Sequence, residues 1–308
     1  MSDYRFDDRV AIITGAGGGL GRTYALELGL RGAKVVVNDL GGATDGTGGG
    51  SSMADQTVKE INEAGGTAVA NYDSVATPEG GEAIVQTALD HFGQVDAVIN
   101  NAGILRDVTF AKLPPKDLEA VIDVHLKGAF YVSQPAFRVM KERGYGRFLF
   151  TSSASGIFGN FGQTNYGAAK MGLVGLSNVL ALEGAKYNIR SNVLAPAAGT
   201  RMTQELMGPM ADKLVPEFVT PLAVFLVSEA NESTHEIYSA GGGRYARIFV
   251  GLTSGWSSAE VPSVEDLAAH MDAIRSEEGY SVPGSANDEL KLIAELSQGT
   301  FTNPSWQG

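Results

Sequence analysis

A chain of 308 residues with 44% hydrophobic side chains is long enough to bury a full core, which argues against a disordered protein. The net charge of −12 argues against binding to the phosphate backbone of nucleic acids, and the absence of cysteine excludes disulfides, thiolate catalysis and cysteine–metal sites. The N-terminus lacks the basic and apolar regions of a signal peptide, and no apolar run is long enough to span a bilayer. We therefore expect a cytoplasmic protein that binds no membrane.

The first motif is a glycine-rich turn between a predicted strand and a predicted helix. The apolar, β-branched run Val10 to Thr14 is typical of a parallel strand that is buried on both faces. The turn that follows, GAGGGLG, lets backbone N–H groups approach a pyrophosphate at the helix N-terminus. Because a strand and a helix flank the glycines, we favour phosphate binding over a merely flexible loop. The candidate cofactor-binding residues here are Gly15, Gly19, Leu20 and Gly21.

An acidic residue follows the second predicted strand, Lys34 to Asn38. Asp39 lies eighteen residues beyond Gly21, close to the spacing expected of the residue that binds the adenosine ribose. Its carboxylate would repel a 2′-phosphate, and the next residue, Leu40, supplies no cation to offset that repulsion. This pattern predicts NAD rather than NADP. The alternative is a surface aspartate that only caps a strand.

The next segments continue the alternation of strands and helices. Residues Gly41 to Ser52 are rich in glycine and are interpreted as a mobile surface loop. A strand from Thr67 to Tyr72 precedes Asp73, and a strand from Gln94 to Asn100 leads into Asn-Asn-Ala-Gly. A long apolar helix is predicted from Leu118 to Glu142, and we expect a kink or local irregularity at Pro135 inside it.

Three residues that could act on one alcohol or carbonyl group lie between Ser153 and Lys170. Ser153 follows a predicted strand, and Tyr166 and Lys170 are four residues apart where a helix is predicted. Positions i and i+4 share one face of a helix, so Lys170 can lie beside the Tyr166 ring and favour its phenolate. A cation in a partly dry cleft can lower the pKa of a tyrosine toward neutrality. Tyr-x-x-x-Lys alone also fits a solvated helix face, but the upstream serine favours an active site.

These motifs, in this order, resemble the short-chain dehydrogenase/reductase family. The resemblance implies that Tyr166 is the general acid/base, that Lys170 lowers its pKa and holds the cofactor ribose, and that Ser153 orients the substrate oxygen. It also implies further cofactor contacts, with Asp73 near the adenine and a threonine at the nicotinamide amide. The remaining candidate cofactor-binding residues are therefore Asp73, Asn101, Ala102, Gly103, Tyr166, Lys170 and Thr200, with Thr203 as the alternative threonine.

Two positions depart from the family pattern. Family members carry an active-site asparagine in an Asn-x-x-Gly step of the long helix, where this chain has His125-Leu126-Lys127-Gly128. His125 either takes over part of the asparagine's role or hydrogen-bonds a backbone kink. The family's Pro-Gly turn has Ala197 in place of glycine. The segment after it is rich in methionine (Met202, Met207, Met210), which suits either a lid over an apolar substrate or an ordinary core helix.

The alternation from Val10 to Ala240 predicts a Rossmann-type, doubly wound α/β fold with a parallel sheet of seven strands. We place this domain at residues 1–243 and a C-terminal extension, packed on it or on a partner subunit, at 244–308. The segment Met171 to Leu182 is apolar nearly all round. Family members bury this helix and the Leu118 to Glu142 helix between subunits, which implies a homodimer or homotetramer.

Within the family, four stretches look closest to the branch of the (3R)-hydroxyacyl-CoA dehydrogenase unit of peroxisomal multifunctional enzyme type 2. They are VVVNDLGG, VANYDSV, NNAGILRD and SSASGIFGNFGQTNYGAAK. The implied reaction is NAD-dependent hydride transfer on a 3-hydroxyacyl-CoA, a small-molecule substrate. It requires no metal, because the proton and the hydride each have an acceptor. Hydroxysteroids or other apolar secondary alcohols remain alternative substrates. Two other functions also remain open. One is an NADPH-linked ketoacyl reductase, against which Asp39 argues, and the other is a non-catalytic NAD sensor or scaffold.

Overall fold

The structure, a computed structural model, describes residues 4–199, 213–258 and 260–297. Its contacts divide the chain into two compact units, Met1–Ile248 and Phe249–Gly308. Of the helices in the described residues, none is both long and apolar enough to cross a membrane.

The first unit is built on one sheet that contains eight strands of the described residues. The strands are β1 (Val10–Thr14), β2 (Lys34–Asn38), β3 (Thr67–Asn71), β4 (Ala97–Asn100), β5 (Gly146–Thr151), β6 (Ile189–Pro196), β7 (Ile237–Gly241) and β8 (Arg244–Ile248). Their order across the sheet is β3-β2-β1-β4-β5-β6-β7-β8. Strands β1 to β7 pair in parallel, which confirms the predicted doubly wound fold.

The helices of this unit cover both faces of the sheet, as the two core clusters on either side of it show. They are α1 (Gly19–Leu30), α2 (Ser52–Glu63), α3 (Pro78–Phe92), α4 (Pro115–Ile122), α5 (Gly128–Arg143), α6 (Ala154–Ile157), α7 (Thr164–Gly184) and α8 (Thr220–Leu226). Strands β1, β4 and β5 are buried along their whole length, because helices pack on both of their faces.

The eighth strand corrects the predicted count of seven. Arg244–Ile248 pairs antiparallel with β7 through a tight turn at Gly242 and Gly243. Both glycines have positive φ, 56° and 81°, a conformation that other residues adopt only with strain. The expected boundary after residue 243 would divide this hairpin, whereas the first compact unit extends to Ile248.

The long helix predicted from Leu118 to Glu142 is interrupted before Pro135, not at it. A π-helical turn, Asp123–Lys127, separates α4 from α5, and Pro135 lies inside α5. Proline lacks the N–H that would bond the Tyr131 carbonyl, one turn earlier. Helix α3 packs closely against that carbonyl, since a Cβ on Gly81 would lie 2.4 Å from its oxygen. The π-turn places His125 inside the fold.

The described residues of the second unit form three helices. Its helices are α9 (Val264–Ala269), α10 (Met271–Arg275) and α11 (Ala286–Ser297). Ser263 begins α9 with a capping box, in which its hydroxyl accepts from the Asp266 N–H at 3.1 Å. A stacked pair, Trp256 and His270 with ring centroids 4.0 Å apart, packs within this unit.

Candidate active site

A cleft that is partly open to solvent lies at the carboxyl ends of β1, β2 and β4. Strand order reverses beside β1, and ligands of open α/β sheets bind at such a switch point. Eight of the predicted cofactor-binding residues line this cleft: Gly15, Gly19, Leu20, Asp39, Asp73, Asn101, Ala102 and Gly103. The structure therefore brings together residues that are up to 88 positions apart in the sequence.

The glycine turn is held by the Asn-Asn-Ala-Gly segment. The Asn101 side-chain amide donates to the carbonyl oxygens of Thr14 and Gly15, both at 3.1 Å. The Thr14 hydroxyl accepts from the backbone N–H groups of Asn101 and Ala102 at 3.0 and 3.1 Å. Gly21 does not line the cleft, but a Cβ there would lie 2.3 Å from the Gly15 carbonyl oxygen. The spacing of the glycines in this turn thus reflects close packing of the backbone as well as room for a pyrophosphate.

The Asp39 carboxylate is fixed at the side of the glycine turn. One oxygen accepts from the Gly17 N–H at 2.8 Å and the other from the Gly41 N–H at 2.7 Å. A Cβ on Gly17 would lie 2.8 Å from the same carboxylate. These contacts fix the acidic group beside the glycine turn, at the edge of the cleft.

Asp73 lies at the same edge through a polar network at the ends of β2 and β3. The Asn38 amide donates to the Asn71 side-chain oxygen at 2.8 Å and to the Asp73 carbonyl at 2.9 Å. The Asn71 amide donates to the Asp73 carboxylate at 2.7 Å. This network holds Asp73 and the following Ser74 where they line the cleft.

The glycine-rich segment after Asp39 is a largely exposed loop, as predicted, and four of its residues also line the cleft: Gly42, Ala43, Thr44 and Gly46. We call residues 41–50 the cleft strap. Its Thr44 carbonyl accepts from the Leu105 N–H at 2.9 Å, and its Asp45 carbonyl accepts from the Arg106 side chain at 3.0 Å. Gly46 packs on Ile104, with a Cβ position 3.1 Å from the Ile104 side chain and a φ of +84°. No local pattern could reveal these contacts, because they come from the segment after β4.

Ser153, Tyr166 and Lys170 come together beside the cleft. Ser153 begins α6, and its hydroxyl accepts from the Ser155 N–H at 3.1 Å. The same hydroxyl is close enough to the Tyr166 phenol to lower the pKa of that phenol. The Lys170 ammonium lies 5.4 Å from the centroid of the Tyr166 ring and donates to the Thr151 carbonyl at 2.6 Å. These three residues are not among those lining the cleft, but Ile104 lines it and belongs to the apolar cluster on which Tyr166 packs.

Burial dominates the charge states of this group. It raises the pKa of Tyr166 to about 12, against a lowering by the Ser153 hydrogen bond, and the Asp107 carboxylate raises it further. Burial also lowers the pKa of Lys170 to about 7. Burial disfavours the charged form of both groups, so it opposes the lowering of the Tyr166 pKa that we expected from Lys170.

His125 holds the backbone next to the cleft and borders Tyr166. Its Nε2 lies 2.9 Å from the Ile104 nitrogen and 2.8 Å from the Ile104 carbonyl oxygen. Its ring meets the Tyr166 ring edge-on, with centroids 5.2 Å apart. Burial, then the nearby Lys170, keep the pKa of His125 well below its usual value, so the imidazole is neutral. A Cβ on Gly103 would lie 2.3 Å from the imidazole, which explains why glycine follows Asn-Asn-Ala.

Some of the predicted residues lie outside the described residues. They are Thr200, the alternative Thr203, and the three methionines Met202, Met207 and Met210. The nicotinamide contact and the lid therefore remain predictions from the sequence.

Comparison with known proteins identifies the family. The family model for short chain dehydrogenases matches residues 9–209, about two thirds of the chain. The chain belongs to the short-chain dehydrogenase/reductase family. It is therefore an oxidoreductase, and the motifs of the cleft and of Ser153, Tyr166 and Lys170 are those of a dehydrogenase.

Individual relatives of this dehydrogenase agree with that assignment. A short-chain type dehydrogenase/reductase of Mycobacterium tuberculosis is 54% identical over 278 residues, which are 90% of this chain and 97% of that protein. The solved peroxisomal multifunctional enzyme type 2 of Drosophila melanogaster matches with a TM-score of 0.81 and 36% identity, over 96% of this chain and 50% of that one. A 7α-hydroxysteroid dehydrogenase, solved with NADH and 7-oxo glycochenodeoxycholic acid, matches with a TM-score of 0.71 and 28% identity, over 78% and 96%. This dehydrogenase spans between 27% and 65% of the length of the curated peroxisomal enzymes that it matches.

Proposed function

We propose that this dehydrogenase transfers hydride between NAD and a secondary alcohol, and that the alcohol is a 3-hydroxyacyl-CoA. The observation that carries the proposal is the Ser153, Tyr166 and Lys170 group beside a cleft that contains the glycine turn and Asp39. Glycine N–H groups suit a pyrophosphate, and a carboxylate suits ribose hydroxyls, so the residues present fit NAD. The bound cofactor supplies the hydride acceptor in its nicotinamide ring, and in the oxidised form a positive charge.

The side chains of this dehydrogenase handle the proton. In alcohol oxidation Ser153 holds the substrate oxygen and Tyr166 accepts the hydroxyl proton, whereas in ketone reduction the protonated Tyr166 donates it. A pKa of about 12 suits the acid role directly. The base role needs additional positive charge near the phenol, which a protonated Lys170 and an oxidised cofactor together would provide.

The substrate class is inferred from the relatives. The dehydrogenase matches a peroxisomal multifunctional enzyme type 2 over nearly its whole length, which supports a 3-hydroxyacyl-CoA. The match to a 7α-hydroxysteroid dehydrogenase favours a hydroxysteroid as the second candidate. Initial rates with 3-hydroxyacyl-CoAs and hydroxysteroids, each with NAD and NADP, test the proposal. Turnover confined to hydroxysteroids would contradict the acyl-CoA assignment, and NAD binding without turnover of any alcohol would support a sensor or scaffold.

Cofactor choice should follow Asp39. At 4 Å and an effective dielectric constant near 20, each unit of like charge on a 2′-phosphate costs about 4 kcal/mol before screening, and about a third of that is enough for tenfold discrimination. We expect kcat/KM to favour NAD over NADP by at least about tenfold. Asp39→Ala should reduce the preference for NAD over NADP, and the double variant Asp39→Ala/Leu40→Arg should reduce this preference further or reverse it. Asp45→Ala, which removes a carboxylate bonded to Thr47 on the cleft strap, is the matched control. Equal use of both cofactors by the unmodified protein would exclude Asp39 as the ribose ligand.

We also propose a homodimer or homotetramer that covers α5 and α7. These helices expose apolar side chains in the isolated chain: Phe130 on α5, and Met171, Val179 and Leu182 on α7. Their exposure is best explained by a second subunit, since apolar faces of this size are stabilised by burial. Light scattering at micromolar concentration should give a dimer or tetramer mass, and Val179→Glu should shift it toward the monomer. A monomeric mass for the unmodified protein would contradict this assembly.

A further inference from the structure

One segment next to the catalytic group has no role in the mechanism above. It runs from Val108 to Asp117, includes a short 3₁₀ helix at Phe110–Lys112, and is called the entrance arm here. The arm is attached at both ends to the start of α7. The Val108 N–H donates to the Gly162 carbonyl at 2.9 Å, and the buried Asn165 side chain donates to the Asp117 carbonyl at 3.2 Å. Asn165 directly precedes Tyr166, so the arm lies beside the catalytic tyrosine.

The arm and the loop before α7 present exposed aromatic rings. Phe110 is 76% exposed, and Phe158 and Phe161, which lie between Ser153 and Tyr166, are 72% and 89% exposed. Three large apolar rings around a catalytic site are unusual for a solvated surface, and rings of this kind stack well on a nucleobase or on an amide chain. They indicate a surface that is covered when the substrate is bound.

The arm also carries two exposed lysines, Lys112 and Lys116. Within the described part of the chain, neither forms an ion pair, whereas the neighbouring Asp117 is paired with Arg106 at 2.9 Å. Lys112 is four residues from Val108, so its Cα lies within about 14 Å of that attachment point. Lys116 is next to Asp117, the other attachment point. In a chain with a net charge of −12, two cations of this kind are the groups suited to attract a polyanionic ligand to the entrance.

We propose that Lys112 and Lys116, together with Phe110 and Phe161, anchor the nucleotide end of the acyl-CoA, the lysines on its phosphates and the rings on its adenine and pantetheine. This inference rests on the proposed function and specifies the part of the site that recognises CoA rather than the acyl group. The charged nucleotide remains at the entrance while the thioester reaches Ser153 and Tyr166. A hydroxysteroid has no phosphates and would gain nothing from these lysines.

The test compares two thioesters of the same 3-hydroxyacyl group, one on CoA and one on N-acetylcysteamine, which lacks the phosphates and the adenine. For the double variant Lys112→Gln/Lys116→Gln we expect KM for the CoA thioester to rise about tenfold, since two charge-assisted phosphate contacts are lost. KM for the N-acetylcysteamine thioester and kcat for both should be unchanged. Higher salt should raise KM for CoA in the unmodified protein more than in the variant.

The matched control is Lys186→Gln, an exposed lysine just beyond the opposite end of α7, about 30 Å along the helix from Tyr166. It removes one positive charge, as each of the two substitutions in the double variant does, and should leave both KM values unchanged. If the CoA thioester is a good substrate but the double variant retains the full preference for it, the anchor is wrong and the proposed function stands. If the CoA thioester is not turned over at all while another alcohol is, the proposed function and the anchor both fail.

Discussion

Replacing Tyr166 with phenylalanine is expected to lower kcat by at least about 10²-fold, because general acid/base help is worth roughly that much. The substitution removes one oxygen and leaves the ring that packs on Ile104 and His125. Affinity for NADH, measured by fluorescence titration, should be nearly unchanged. A fall in kcat without a loss of cofactor binding would locate the effect in the chemical step.

Tyr187→Phe is a suitable control, because Tyr187 lies beyond the far end of α7, in the 3₁₀ turn Ala185–Tyr187.

The pH dependence of the rate is an independent test of the role of Tyr166. Since the pKa of Tyr166 is raised to about 12, the rate of alcohol oxidation should increase as pH rises toward the pKa in the cofactor complex, and ketone reduction should show the opposite trend. Near-normal turnover by Tyr166→Phe would rule out the assigned role.

Replacing Lys170 with methionine should abolish most activity and yet raise the free energy of unfolding. Lys170 is 3% exposed, and burial lowers its pKa from 10.5 to about 7, which corresponds to a penalty of about 5 kcal/mol when the unfolded lysine is protonated. Methionine avoids that penalty but leaves the Thr151 carbonyl without its donor, at a cost of about 1–3 kcal/mol. The expected net gain is about 2–4 kcal/mol near neutral pH.

The sign of the pH dependence distinguishes this explanation from better packing alone. Below pH about 7 the lysine is protonated in both states, so the folded protein bears the full penalty and the variant has its largest advantage. As pH rises from about 7 to 10.5 the folded lysine is neutral while the unfolded one loses its proton, and the advantage should disappear. Urea unfolding at pH 6 and at pH 9 measures the difference, with the exposed Lys186→Met as control. An equal or lower stability of Lys170→Met at pH 6 would show that Lys170 is not held in a destabilising environment.

If Lys170→Met is more stable but less active than the unmodified protein, Lys170 is retained for its chemical role and not for stability. Buried lysines are rare unless a function requires them, and perturbed pKa values cluster at functional sites. Lys170 also lowers the pKa of His125, so the variant should make protonation of that imidazole easier. Tyr166→Phe therefore tests proton transfer itself, whereas Lys170→Met tests the buried charge beside the group that transfers the proton.

The features that the sequence alone determined are those that local spacing encodes. The strand–turn–helix around Gly15 to Gly21, the acidic residue after β2, and the four-residue step from Tyr166 to Lys170 each depend on backbone geometry within one supersecondary unit. Those patterns were enough to predict the doubly wound sheet and the family, and the structure and the comparisons confirm both. The roles of the individual site residues remain predictions, to be tested by the variants above.

Features that depend on contacts between distant segments of the chain became visible only in the tertiary structure. The cleft strap is positioned by Leu105 and Arg106, some sixty residues away, and the glycine at position 103 is required by the His125 ring. The antiparallel pairing of β8 with β7 likewise joins the eighth strand to the sheet through its neighbour in space. The effect of burial on the charge states of Tyr166 and Lys170 also appears only in the tertiary structure, because a sequence shows that a cation is near a phenol but not how much water has been removed from both.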